Sequence, residues 1–93
     1  MAEIVLIRHG ETEWSKSGQH TGRTDIPLTR NGRKRAAELE PLLRHRAFGL
    51  TLSSPMERAR DTAKLAGLTP DGIDDDLVEW DYGAWEGRTT PDI

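Results

Sequence analysis

The feature that most constrains this chain is a four-residue apolar run, Ile4-Val5-Leu6-Ile7, stopped by Arg8-His9-Gly10. It is the longest such run in the sequence, far short of the roughly 18 residues a membrane-spanning helix needs. Its β-branched content and abrupt polar end predict a short buried strand over residues 3–7. The strand would deliver an arginine and a histidine to one edge of a sheet.

Ninety-three residues make at most one small domain. A chain of this size buries only about 60–65% of its unfolded surface, so its core is limited. It has no cysteine, which removes disulfides, thiolate catalysis and cysteine-based zinc sites and predicts a cytoplasmic location. No basic stretch followed by an apolar core opens the chain, so no secretory signal is expected. The net charge of -3 is uneven. Residues 1–60 carry 11 Lys and Arg against 7 Asp and Glu, a balance of +4; residues 61–93 carry 2 against 9, a balance of -7. The basic part points to an anionic partner. The acidic part and an aromatic content of 5% argue against nucleic acid.

From Arg8 to Leu28 nothing is periodic, and a loop of that length in a small domain is more often functional than idle. Thr29 is a good helix N-cap. Ala36, Leu39 and Leu43 then share one face, predicting a helix over residues 30–44 that Pro41 kinks or shortens. A second strand is expected over residues 48–53. Ser54-Pro55 opens a second helix as N-cap and first residue, with Met56, Ala59, Ala63 and Ala66 inward and Gly67 as terminator. Residues 71–76 read as an acidic loop, residues 77–87 as irregular, and Thr90-Pro91 as the start of a third helix. The order β-α-β-α implies an α/β fold with parallel strands and a right-handed crossover.

Ligands of such sheets bind beyond the carboxyl ends of the strands. There the first strand brings Arg8-His9-Gly10 and the second brings Ser53-Ser54-Pro55. Arg58, in the first turn of the following helix, leans back toward the same edge. Guanidinium groups grip phosphate with paired, charge-assisted bonds. Their positive charge disfavours an imidazolium between them, leaving a neutral, nucleophilic ring. The sequence offers neither metal-ligand spacing nor a phosphate-binding glycine loop followed by lysine, so a metal-free route with no cofactor is expected. Glu79, between Val78 and Trp80, has the most apolar setting among the late acids and suits a general acid. Glu11 reads either as an acid or as a hydrogen-bonding residue that orients the His9 loop.

Arg8-His9-Gly10-Glu11-Thr12 resembles the Arg-His-Gly motif of the histidine phosphatase superfamily, which includes the cofactor-dependent phosphoglycerate mutases. The likeness continues through Thr21-Gly22, Leu28-Thr29-x-x-Gly32, Ser53-Ser54-Pro55-x-x-Arg58-Ala59-x-x-Thr62-Ala63 and Glu79-x-x-Tyr82-Gly83-x-x-Glu86-Gly87. The resemblance implies a three-layer phosphoglycerate mutase-like fold with a mostly parallel sheet. It implies His9 as the phosphorylated nucleophile and Glu79 as the general acid and base. Arg8 and Arg58 would hold the phosphoryl group, and Ser15, Thr21 and Gly22 would touch substrate phosphate.

Within the superfamily the likeness is nearest to broad-specificity acid phosphatases. Ser15, Gln19-His20 and Trp80-Asp81 replace residues typical of mutases, and Asp81 should repel a bisphosphate. The expected activity is hydrolysis of small phosphomonoesters, with release of inorganic phosphate. The rival readings are a phosphoglycerate mutase and a phosphate-binding piece without turnover. Family members are about twice as long and supply a second pocket histidine from a late Gly-His element. Residues 1–93 therefore read as the N-terminal portion of one histidine phosphatase domain without its C-terminal part. Open sheet edges would invite self-association into a homo-oligomer.

Overall fold

The computed structural model describes residues 3–78, 86, 87 and 89. In chain order the elements are α1 (Glu13–Ser17), α2 (Arg30–Ala37), α3 (Glu40–Leu43), β1 (Leu52–Ser53), α4 (Glu57–Leu65) and β2 (Gly72–Ile73), followed by a 3₁₀ turn over Asp75–Leu77. β1 and β2 pair in parallel, Leu52 opposite Gly72 and Ser53 opposite Ile73. The helix α4 connects them and packs on both β1 and α2. This is the crossover unit of an α/β fold. No helix among the described residues is long and apolar enough to cross a membrane.

Local chemistry sets these elements. The Gly32 amide donates to Thr29 Oγ1 at 3.0 Å, so Thr29 caps α2 as its position predicts. The predicted helix over residues 30–44 is two helices. Pro41 has no N–H, and its ring would clash with the carbonyl of Ala37 in a continuous helix. The chain therefore ends α2 at Ala37 and restarts at Glu40, with Pro41 in the first turn of α3, where its missing N–H costs nothing. The start of α4 also differs from expectation. Its N-cap is Met56, because Ser54 Oγ accepts the Met56 amide at 3.2 Å in a turn before the helix. Asp25 reaches across to cap the Glu57 amide at 2.7 Å. At the other end Leu68 N–H donates to the Ala63 carbonyl and Gly67 N–H to that of Lys64. That is the glycine-terminated closure expected of Gly67.

Two expectations need correction at the sheet. Residues 3–7 form no ladder among the described residues, and Ile4 and Leu6 are 84% and 88% exposed. The run keeps a strand's period of two, since Val5 and Ile7 are each 39% exposed. A strand is completed by neighbours, and the described sheet pairs only residues 52–53 with 72–73. The second strand is likewise confined to Leu52–Ser53, and the acidic loop contains β2. Helix α1 lies inside the stretch that shows no periodicity. It is too short to show any, but a capping box marks it, with Ser15 N–H donating to Thr12 Oγ1 and Thr12 N–H to Ser15 Oγ.

The buried set is small and polar. Leu28, Ala36 and Ala66 are its apolar members; Thr12, Thr21, Ser53, Ser54, Arg58 and Thr62 are its polar ones. No buried side-chain polar atom among the described residues lacks a hydrogen-bond partner, as burial of such groups demands.

Candidate active site

A cavity of about 360 Å³ opens beside β1 and the start of α4. Its polar wall includes Arg8, His9, Ser53, Ser54 and Arg58; Val5, Ile7, Leu50 and Leu52 supply an apolar side. The three residues expected to form an anion site thus share one cavity, although the segment leading to Arg8 is not a laddered strand.

The turn at residues 8–10 is held by backbone contact. Gly10 and Gly32 approach so closely that a Cβ on Gly10 would stand 2.6 Å from the Gly32 carbonyl oxygen. A Cβ on Gly32 would overlap the backbone of Glu11. The Thr29 amide donates to the Glu11 carbonyl at 2.8 Å, and Thr29 Oγ1 donates to the Glu11 carboxylate at 2.8 Å. Glu11 is therefore engaged as the hydrogen-bonding residue that ties the His9 turn to α2. From the other side, Gly10 N–H donates to Thr62 Oγ1 at 3.0 Å, and that hydroxyl donates to the Arg58 carbonyl at 2.7 Å. One buried threonine links the histidine turn to the arginine helix.

Within this frame His9 Nδ1 lies 2.7 Å from the Gly10 carbonyl. A carbonyl can only accept, so Nδ1 carries the proton. In the neutral ring the lone pair then lies on Nε2. Arg58 is 1% exposed. Its Nη2 donates to the Gly22 carbonyl at 2.5 Å and its Nη1 to the Thr24 carbonyl at 2.7 Å. Two carbonyl dipoles offset part of the cost of burying this charge. Arg8 is exposed.

The expected loop residues Ser15, Thr21 and Gly22 are not among those lining the cavity, and their donors are committed within the chain. Ser15 Oγ donates to the Thr12 carbonyl at 3.0 Å, Thr21 Oγ1 donates to the Gln19 carbonyl at 3.2 Å, and Gly22 N–H donates to Glu86 Oε1 at 3.1 Å. Glu79, Trp80 and Asp81 lie outside the described residues. The chemistry-based choice of site residues passed over Thr62 and Glu86. Both stand in the motifs that carry the resemblance; Thr62 is also legible as the residue one helical turn after Arg58 and on its face, whereas the contact of Glu86 with Gly22 has no local signal.

Residues 4–93 match the histidine phosphatase superfamily (branch 1), and the chain belongs to that superfamily. It is 48% identical over 92 residues to an acid phosphatase of Mycobacterium tuberculosis, covering 97% of this chain and 45% of that protein. It is 42% identical over 106 residues to the sedoheptulose 1,7-bisphosphatase of Saccharomyces cerevisiae, covering 96% and 39%. Among solved structures, the product of the open reading frame Rv3214 of Mycobacterium tuberculosis superposes with a TM-score of 0.82 at 48% identity, covering 89% of this chain and 44% of that one. A phosphoglycerate mutase of Thermus thermophilus superposes with a TM-score of 0.75 at 40% identity, covering 88% and 46%. The fold is thus the phosphoglycerate mutase-like α/β type. The chain spans less than half the length of these relatives.

Proposed function

We propose that the protein hydrolyses small phosphomonoesters through a phosphohistidine formed on His9. The observation that carries this reading is the shared cavity of Arg8, His9 and Arg58, with the His9 Nδ1 proton held by the Gly10 carbonyl. The Nε2 lone pair attacks phosphorus as the ester P–O bond breaks, and Glu79 in its acid form protonates the leaving oxygen. Water then attacks the phosphohistidine, the P–N bond breaks, and Glu79 takes the water's proton. Inorganic phosphate leaves and the neutral ring returns. Arg8 and Arg58 spread and neutralise the charge on the transferring oxygens, the main requirement of phosphoryl transfer. Ser15, Thr21 and Gly22 contact substrate by exchanging their internal bonds for bonds to its oxygens.

Acid-quenched labelling tests the mechanism. A labelled phosphate donor should leave an acid-labile, base-stable label on the protein that His9→Ala abolishes. Persistence of label in His9→Ala overturns the assignment. Glu79→Gln should slow turnover while phosphate binding is kept. In parallel, p-nitrophenyl phosphate should be hydrolysed. Efficient isomerisation of 3-phosphoglycerate in the presence of bisphosphoglycerate, with negligible hydrolysis, would make the protein a mutase instead. Phosphate binding without any label would make it a binding protein.

A further inference from the structure

The tripeptide Gly22-Arg23-Thr24 is gripped from two directions. Its carbonyls at 22 and 24 accept from the two terminal nitrogens of Arg58, at 2.5 and 2.7 Å. Its amides at 22 and 24 both donate to one oxygen of Glu86, at 3.1 and 3.0 Å. The buried guanidinium and the carboxylate thus meet through three residues of backbone rather than directly. Glu86 is itself anchored. Gly87 N–H donates to the His20 carbonyl at 2.9 Å, Gln19 Nε2 donates to the Gly87 carbonyl at 2.6 Å, and Thr89 bridges Gln19. Gly87 has φ +81° with the Trp14 ring against it, a backbone setting that favours glycine.

We infer that Glu86 is a positioning residue: by fixing the amides of Gly22 and Thr24 it fixes their carbonyls, and so the plane in which Arg58 faces the His9 cavity. A guanidinium holds an oxyanion well only when its planar fork is aimed. With two of its donors tied to a rigid peptide, Arg58 keeps one orientation. Release of that peptide lets the fork turn within its site. The effect is geometric. A side chain that keeps the acceptor at the same reach should preserve it, and one that keeps the charge but shortens the reach should not.

The functional half of this inference rests on the phosphatase reading; the structural half does not. Amide hydrogen exchange of the intact protein should show Gly22 and Thr24 protected, with protection lost in Glu86→Ala and largely kept in Glu86→Gln. Titration with inorganic phosphate, followed by ³¹P NMR, should show affinity falling roughly tenfold in Glu86→Ala and in Glu86→Asp, the size expected for losing hydrogen bonds to a charged group. Glu86→Gln should stay within about threefold of wild type, since it retains an acceptor of the same reach at some loss in bond strength. Glu86→Gln and Glu86→Asp are the arms that survive if Glu86→Ala does not fold. The inference is overturned if the two amides exchange freely in the wild type, if phosphate affinity is indifferent to Glu86, or if Glu86→Asp outperforms Glu86→Gln. Wild-type protein that neither binds phosphate nor takes label fails the phosphatase reading itself, while the exchange data still judge the clamp.

Discussion

Thr62 carries more of the site than its size suggests. One hydroxyl accepts from Gly10 N–H and donates to the Arg58 carbonyl, and the residue is 3% exposed. Valine keeps the shape and removes both bonds, leaving a part-buried amide without its acceptor. Thr62→Val should therefore cost about 1–3 kcal/mol of stability, read from the urea midpoint, with Thr62→Ser recovering much of it. An equal midpoint for Thr62→Val and wild type would show that the bond contributes nothing. Arg58 is the second residue whose chemistry can be separated from its charge. Arg58→Lys keeps the positive charge but cannot span the carbonyls of residues 22 and 24 as a planar fork does. Phosphate affinity should fall about tenfold or more in calorimetric titration, the loss expected from charge-assisted bonds that a point charge cannot re-form. Unchanged affinity would place the anion elsewhere.

At the scale of elements, the contact between the residue 8–11 turn and α2 depends on two absent side chains. A Cβ on Gly32 overlaps the Glu11 backbone, whereas one on Gly49 meets nothing within 4 Å. Gly32→Ala should lose about 1–3 kcal/mol or more through overpacking, while Gly49→Ala stays within about 0.5 kcal/mol of wild type. Matching melting temperatures for the two variants would refute the close approach. Helix α3 offers a pH test. Arg44 donates to both oxygens of Glu40, at 3.1 and 2.7 Å, and this bonding holds the Glu40 carboxyl below its ordinary range. A depressed folded-state value contributes stability above the unfolded carboxylate value and loses it as pH falls through the folded one. The gap in Tm between wild type and Glu40→Gln should therefore narrow from pH 7 toward pH 3. It should be small throughout, because the pair is exposed.

The same scale explains what the sequence discloses. The N-terminal cap of α2 and the C-terminal closure of α4 obey local rules, so Thr29 and Gly67 announce themselves, whereas the cap that Asp25 gives the start of α4 comes from 32 residues away. The anion cluster is legible because Arg8 and His9 follow directly on an apolar run and Arg58 stands in the first turn of α4. Helix α1 escapes because five residues are too few for a period. The break between α2 and α3 needs the steric consequence of Pro41 weighed against an apolar spacing that runs straight through it. The first strand misleads for another reason: apolar content states what a segment would bury, while a ladder requires partners that lie elsewhere in the chain. Glu86 reaches Gly22 across 64 residues, and no local pattern encodes that distance.

Across the whole molecule, the described residues leave Ile4, Leu6, Leu50, Leu52 and Ile73 exposed. β1 and β2 form a sheet only two residues long in its pairing. Scattered apolar side chains are ordinary on a surface, but apolar residues along unladdered backbone combine two routes to association: burial of the side chains and pairing of free edges. A chain of these 93 residues prepared alone should bind the dye ANS and, in light scattering behind size exclusion, rise in mean mass with concentration. Replacing Ile4 and Leu6 together by lysine should weaken both signals, because each side chain is more than four-fifths exposed and bears no packing whose loss would unfold the rest. Burying a residue of this kind is worth about 1.5–3 kcal/mol, so the double change should shift the midpoint of association by an order of magnitude or more in concentration. A monomer at every concentration, with no dye binding, would mean that this face is covered by other parts of the same chain.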